Sequence, residues 1–483
     1  MIHIRAIAFV LGQFLLIFSA TMTVPLAYGL IIRDQELEPL AWATAVTLAA
    51  GGLLHFALPR PDRELSQREG LLVVVATWAA VSLFGSLPFA FSEYFPSFTD
   101  AFFESASGFT TTGATVLADV EVLPKPLQFW RCFSHWLGGL GIVVLAVAVL
   151  PLVGHGGMYL YRAEFSGAKS EKLKPRITET AFSLWKIYFA LSIAEFAALL
   201  AAGMSGFDAL CHTFSTLGTG GFSSRTASIA AYESPLVEYI VTGFMMLAGI
   251  SFIQHYRFWV EGRPVAAVRD VEIRGYLTLT LAATVIIGGS LMIYQQYDWE
   301  RALRASLFQV SSILTTTGFI TDDFEAWRPL PQLLLLALMF VGGCTGSTAG
   351  GLKVARILLL ARVIDREFKR MVERRGVFAV RLGGQVMPET AVQGLLNLVY
   401  LAFIVNFASC LLLAAMGIDV LTAISAVAAC MFNIGPGLGE VGPLDNYGPL
   451  PAGAKWVLSV CMIAGRLEFY TVIVILTPAF WRK

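Results

Sequence analysis

The sequence is short of charge. Only 14% of its 483 residues are Asp, Glu, Lys or Arg, against about a quarter in an average soluble chain, while 56% are hydrophobic. So few charges cannot solvate a water-facing surface of this size, which excludes an ordinary soluble globular protein. Excess charge of one sign is missing too: 34 basic and 34 acidic residues cancel, so nothing attracts nucleic acid or an acidic soluble partner. The six cysteines, Cys132, Cys211, Cys344, Cys410, Cys430 and Cys461, show no CxxC pairing and read as packing residues. His135, His155, His212 and His255 form no metal spacing, and HExxH and GxSxG are absent. The chain is therefore expected to be neither an enzyme nor the holder of an organic cofactor.

What abounds is apolar runs of roughly 20 residues, the length that matches a hydrocarbon core of about 30 Å. They place spans at residues 6 to 32, 41 to 58, 70 to 92, 128 to 153, 181 to 203, 235 to 260, 275 to 297, 330 to 361, 390 to 416 and 454 to 480. The first run is too long for a signal h-region and lacks a convincing cleavage site, so it is expected to remain as a helix. Basic residues crowd alternate connections: Arg60, Arg63 and Arg68; Arg162, Lys169, Lys172, Lys174 and Arg176; Arg263, Arg269 and Arg274; and seven between Arg362 and Arg381. By the positive-inside rule these are cytoplasmic, as are both termini, in a multi-pass protein of the lipid bilayer. The same segments either dock a regulatory partner or only fix topology.

Each of the last four outward connections holds a short apolar segment, too brief to span, that runs into a Gly/Thr-rich stretch. Such segments suggest re-entrant loops. Ser215, Leu217, Thr219, Gly221 and Phe222 fall in register with Ser312, Leu314, Thr316, Gly318 and Phe319, and the first copy agrees at Ser107, Thr111 and Gly113. Asp100 and Asp208 each stand thirteen residues before their glycine, where either can cap a short helix. The fourth copy, around Asn433, Ile434 and Gly435, is divergent and aligns by its position after an apolar segment. The expected unit is helix, re-entrant segment, helix, repeated four times. It gives an N-terminal hairpin at residues 1–69 and pore repeats at 70–180, 181–274, 275–388 and 389–483, the third with a broken second helix.

A dehydrated monovalent cation needs a cage of oxygens, which backbone carbonyls provide without fixed negative charge. Glycine permits the geometry that points successive carbonyls inward, and threonine adds a hydroxyl in a narrow loop. Thr110, Thr111, Thr112 and Gly113, and Thr315, Thr316, Thr317 and Gly318, meet that description directly; Gly218, Thr219, Gly220 and Gly221 meet it more loosely. The eighth span is interrupted by Gly342, Gly343, Gly346, Gly350 and Gly351, with Ser347 and Thr348 among them, and broken backbone at that depth should line a cavity. Lys353 at its end either approaches that cavity or snorkels to the interface. GSTAGGLK is no Walker loop, because Leu352 separates glycine from lysine and no Ser/Thr follows. Arg466 lies near the centre of the last span, where a cation must face the bundle or water, and Glu468 is poorly placed on the helix to pair with it. Glu195, deep in the fifth span, is either a proton-relay or a packing group, while Arg131 and Lys186 read as interfacial.

The segments TTTGATV from Thr110, STLGTGGFS from Ser215, TTTGF from Thr315, FNIGPGLGEVG from Phe432, GGCTGSTAGGLK from Gly342 and GRLEFYTVIVILTPAFW from Gly465 resemble those of the TrkH-type potassium uptake subunits in the Trk/Ktr/HKT superfamily. The resemblance covers nearly the whole chain. It implies an all-α integral membrane fold, with four membrane-pore-membrane repeats in a pseudo-fourfold arrangement and an extra N-terminal helical hairpin. It also implies a bacterial inner-membrane homodimer, and a cytosolic TrkA-like ring that binds nucleotide. Further implications are potassium bound at the four loops, a gate at residues 342 to 351, and Arg466 as a positive barrier beneath the filter. Glycine at position 113, in place of serine, goes with potassium over sodium. Two other functions stay open: a proton- or sodium-coupled symporter, and a membrane scaffold whose flux resides in another subunit.

Overall fold

The structure, a computed structural model, describes residues 2–34, 36–60, 65–141, 177–265 and 269–482. The basic cluster from Arg162 to Arg176, together with Arg63, His155 and the far half of the 128 to 153 span, lies outside the described residues. Within them the fold is all-α apart from one hairpin, β1 (Arg381–Leu382) against β2 (Gln385–Val386), antiparallel with Arg381 opposite Val386.

Helices α1 (Ile4–Ile32) and α2 (Glu38–Phe56) form the first antiparallel pair. They approach closely because Gly12 and Gly51 carry no side chain: a Cβ on Gly12 would lie 2.7 Å from the His55 amide, and one on Gly51 2.9 Å from that of Leu16. Helix α3 (Gln67–Gly85) opens on a capping box between Ser66 and Glu69.

Then comes the first of four short helices that each lead into a glycine-bearing loop, α4 (Phe98–Phe109, 12 residues), followed by α5 (Lys125–Trp136). The pattern recurs. Helix α6 (Ile177–Ala201) leads to the short α7 (Gly206–Gly218) and the bent pair α8 (Pro235–Ala248) and α9 (Phe252–Trp259). Helix α10 (Val271–Tyr294) leads to the short α11 (Trp299–Leu314), then α12 (Pro329–Met339) and α13 (Val354–Val372). Helix α14 (Glu389–Ala415) leads to the short α15 (Val420–Met431), then α16 (Ala452–Arg466) and α17 (Tyr470–Leu476).

A side chain caps each short helix: Ser97 and Ser205 accept from the amides of Asp100 and Asp208, while Asp298 and Asp419 cap the other two. Asp100 and Asp208 are thus the third residues of their helices and not the caps. Their carboxylates accept from the Ser97 and Ser205 hydroxyls at 2.7 and 2.9 Å.

Six described helices are long and apolar enough to cross a membrane, or eight if each bent pair counts as one span. The expected spans 235 to 260 and 454 to 480 are these bent pairs, turning by 99° and 117°. The distribution of polarity is inverted relative to a soluble protein. Leu281, Val285 and Ile293 on α10 and Phe403, Phe407 and Leu411 on α14 are exposed, whereas the threonines at 110 to 112 and 315 to 317 are buried. A lipid-facing surface and a polar interior follow.

Candidate functional site

The four short helices end in loops with one backbone signature. Thr111, Thr219, Thr316 and Asn433 have φ of 55°, 54°, 56° and 59°, and two residues later Gly113, Gly221, Gly318 and Gly435 have φ of 81°, 81°, 79° and 102°. The residue between stays in the ordinary half of the map. Alternating handedness turns successive peptide planes so that consecutive carbonyls face one side, which L-residues accept only where the surroundings enforce it. In each loop a 2.8 Å bond runs back into the short helix: Thr112 N to Ser107 O, Gly220 N to Ser215 O, Thr317 N to Ser312 O, and Ile434 N to Ala429 O. The fourth loop, divergent in sequence, shares both features.

The glycines bring the loops together. A Cβ on Gly113 would overlap the carbonyl oxygen of Gly220, one on Gly221 that of Thr317, and one on Gly318 that of Ile434; one on Gly435 would lie 2.7 Å from that of Thr112. The contacts run from loop one to two, two to three, three to four, and four back to one. They close a ring in which each glycine leaves room for its neighbour's carbonyl. A cavity of about 90 Å³ is lined by all four glycines and, among others, by Thr115, Arg225 and Asp445.

Hydroxyls brace the ring. Thr110 Oγ1 donates to Ala106 O (2.6 Å) and lies 2.8 Å from Thr112 Oγ1; Thr315 repeats this with Ser311 O and Thr317 Oγ1 at 2.7 and 2.8 Å. Gly218 stands at that position in the second loop, where Thr219 Oγ1 turns to Gly218 O instead. Tyr447 Oη donates to Gly435 O at 2.7 Å. Thr111 Oγ1 and Asn433 Oδ1 are buried with no hydrogen-bond partner among the described residues, while Asn433 Nδ2 donates to Thr112 Oγ1 and to Met462 O in α16, both at 3.0 Å.

Arg131 departs from the sequence expectation. It is fully buried, not interfacial, with Nε 2.5 Å from Glu104 Oε1, Nη1 donating to Ser223 O (3.0 Å), and its guanidinium 3.6 Å from the Phe222 ring centroid. At the mouth, Arg225 pairs with Glu121 and Asp208. The Glu121 carboxylate, foremost, raises its pKa above the usual value. Nearby Asp119 is held below the ordinary carboxylate range, first by the Thr226 hydroxyl and then by the Glu121 amide.

Between α12 and α13, residues 340 to 353 leave the helix. The ends of this excursion are tied by Lys353 N to Val341 O (2.8 Å) and Leu352 N to Phe340 O (3.3 Å). Its middle is held from three sides. Cys344 N donates to Gly249 O (2.8 Å), Phe252 N to Gly346 O (2.9 Å), and Gly350 N to Thr316 Oγ1 (2.6 Å). A Cβ on Gly350 would overlap the Phe432 carbonyl oxygen. Gly343, Ser347 and Thr348 sit inside this loop, and Gly342 and Gly351 abut where its strands cross. Lys353 turns back into the loop, its Nζ donating to Ala349 O.

Arg466 closes the assembly. Its guanidinium donates to Thr348 O (2.8 Å) and to the carbonyls of Gly138 (2.8 Å) and Gly139 (3.0 Å), joining the loop to the π-turn Leu137–Gly141 that ends α5. Glu468 pairs instead with Arg356 (2.8 Å). Two further holders escaped the sequence reading. Glu272 accepts from Thr345 N (2.6 Å) inside the loop and from Ala355 N (3.1 Å) just beyond it, and Lys455 forms a buried pair with Asp100 (2.5 Å). Glu195 is buried within α6.

A family model described as TrkH, cation transport protein, matches residues 37–483. The Trk system potassium uptake protein TrkH of Salmonella typhimurium is 43% identical over 100% of both chains. That of Halomonas elongata is 42% identical, over 99% of this chain and 100% of its own. The crystal structure of the potassium transporter TrkH from Vibrio parahaemolyticus matches 100% of both chains with a TM-score of 0.90 at 40% identity. Identity at this level along the whole length, on a helical membrane fold that superposes throughout, means that the chain belongs to the TrkH cation transport family, whose members are transporters and not enzymes.

Proposed function

We propose that this protein takes up potassium across the bacterial cytoplasmic membrane through a single-chain pore. Residues 110–113, 218–221, 315–318 and 433–435 form the selectivity filter, each loop belonging to one of the repeats bounded above. The observation that carries the reading is the closed ring of glycine-to-carbonyl contacts. A ring of carbonyls from four loops replaces the hydration shell of a dehydrated cation, and the paths in and out need no fixed charge in the filter itself. The names of the relatives supply the ion.

The loop from Gly342 to Gly351, with Lys353, is the gate. Its Gly350 amide on Thr316 and Arg466 bridging Thr348 to Gly138 and Gly139 support this reading, since together they put a glycine-rich obstruction and a positive charge beside the filter. The basic connections face the cytoplasm, with both termini, and there a nucleotide-binding ring partner and a homodimeric assembly would act on the gate.

Purified protein in liposomes tests the proposal. Potassium flux through the chain alone is expected, and Gly113→Ser should lower the potassium-to-sodium flux ratio, because the new Cβ displaces the Gly220 carbonyl. An unchanged ratio in folded G113S protein refutes the filter assignment. No flux from the chain alone would favour the scaffold, and a reversal potential that follows the proton or sodium gradient would favour the symporter.

A further inference from the structure

The residue nine positions before the glycine is Glu104 in the first loop, His212 in the second and Gln309 in the third. All three are buried, and all three reach past the ring to the segment that leaves it. Glu104 accepts from Thr115 Oγ1 (2.9 Å) and Val116 N (2.9 Å). His212 Nδ1 faces the Asp208 carbonyl (2.7 Å), which makes that nitrogen the donor and leaves Nε2 to accept from Ser223 Oγ (2.9 Å). Gln309, with its amide oxygen turned toward the backbone, accepts from Thr321 N (3.0 Å) and Asp322 N (3.3 Å). In the fourth loop the position is Ala426, and neighbouring Ser425 bonds Leu438 instead. One register position therefore serves as a tether in three loops, with a different chemistry in each.

Only the first tether carries charge, and only its ion-pair partner hydrogen-bonds a second loop; His212 meets the third loop through a ring contact with Phe319 at 5.7 Å. Glu104 is ion-paired to Arg131, whose other nitrogen holds the Ser223 carbonyl and whose face covers Phe222, both in the second loop. His135, one turn further along α5, stacks on the same Phe222 at 4.1 Å and accepts its amide at 3.3 Å. Charge-assisted hydrogen bonds in a water-excluded site are shorter and stiffer than the neutral tethers elsewhere.

We infer that the Glu104–Arg131 ion pair is a positioning element that fixes the spacing between the first and second filter loops and so contributes to discrimination among alkali cations. The inference rests on the reading of the four loops as an ion filter. A filter distinguishes ions by the number and field of its carbonyls and by how far these can relax around a smaller ion. With the pair intact, the exits of loops one and two are pinned to one buried guanidinium; without it, the Gly220 carbonyl can close on sodium.

The test compares potassium-to-sodium flux ratios in liposomes for Glu104→Gln, Arg131→Met and Arg131→Lys, with Gly113→Ser and Arg304→Met as references. Arg304 forms a comparable pair with Glu238 (2.6 Å) between α11 and α8, and its hydrogen bonds reach none of the filter loops. Glu104→Gln and Arg131→Met should each lower the ratio about tenfold, since one partner's loss leaves the other charged and unpaired. Arg131→Lys should recover part of the ratio. Arg304→Met should leave it at the wild-type value even where it lowers thermal stability. Folded E104Q or R131M protein with a wild-type ratio overturns the inference. Where neither reaches the membrane, Thr115→Val decides, because it removes one tether bond without stranding a charge: a lower ratio supports the clamp and an unchanged one overturns it. If G113S also keeps the wild-type ratio, the filter reading falls, and the clamp falls with it.

Discussion

A methyl group on Gly318 would overlap the carbonyl oxygen of Ile434, on a residue whose φ of 79° already disfavours a side chain. Gly318→Ala should therefore abolish most potassium flux in liposomes while adding about 1–3 kcal/mol of backbone strain. Gly289 in α10 is the contrast: nothing lies within 4 Å of its Cβ position. Alanine there should keep wild-type flux and raise helix stability by about 0.5–1 kcal/mol. Lys455 and Asp100 make a different single-residue test. Both are nearly buried, so Lys455→Met strands a carboxylate and should cost about 3–5 kcal/mol in detergent unfolding. The glycine-bearing loops were legible in the sequence because glycine and threonine clusters after a short apolar run are unusual in themselves. Arg131 was not. Its position near a span end resembles that of an interfacial arginine, and its partner Glu104 sits 27 residues away, in a different helix.

At the scale of elements, hydropathy reports how many apolar residues follow one another and not whether their helix stays straight. That is why the 235 to 260 and 454 to 480 stretches read as plain spans and turn out to bend by 99° and 117°. The eighth span differed because five glycines lie within ten residues, a composition that cannot hold a lipid-facing helix. Its excursion is held at separate points, by Gly350 to Thr316, by Glu272 to Thr345 and Ala355, by the α8–α9 connection at Cys344 and Gly346, and by Arg466 at Thr348. Shortening the 342 to 351 loop should raise basal potassium flux severalfold, and Glu272→Ala should raise it less, because each bond lost is worth about 0.5–1.5 kcal/mol, or 1.5–3 where a charged group takes part. Unchanged or lower flux in protein of normal abundance would count against the gate.

At the scale of the whole molecule the orientation is testable with thiol chemistry, since five of the six native cysteines are buried and Cys410 is half-buried. Val377, in the basic segment, and Leu444, beyond the fourth loop, are exposed. Leu444→Cys should react with an impermeant maleimide on intact cells, and Val377→Cys only after permeabilisation; the reverse pattern would invert the assigned topology. The sequence by itself determined that the chain lives in a membrane, that it is helical, and where four glycine-bearing loops fall, because composition, run length and repeat register are properties of the chain as a line. Tertiary structure alone decided that the four glycines meet neighbouring carbonyls in a closed cycle, that Arg131 and Glu104 lock two loops together, and that Arg466 is held by carbonyls while Glu468 serves Arg356. These are contacts between residues far apart in the chain. Which polar group satisfies which is settled only when packing excludes water and forces each buried charge and hydroxyl to find its partner within the protein.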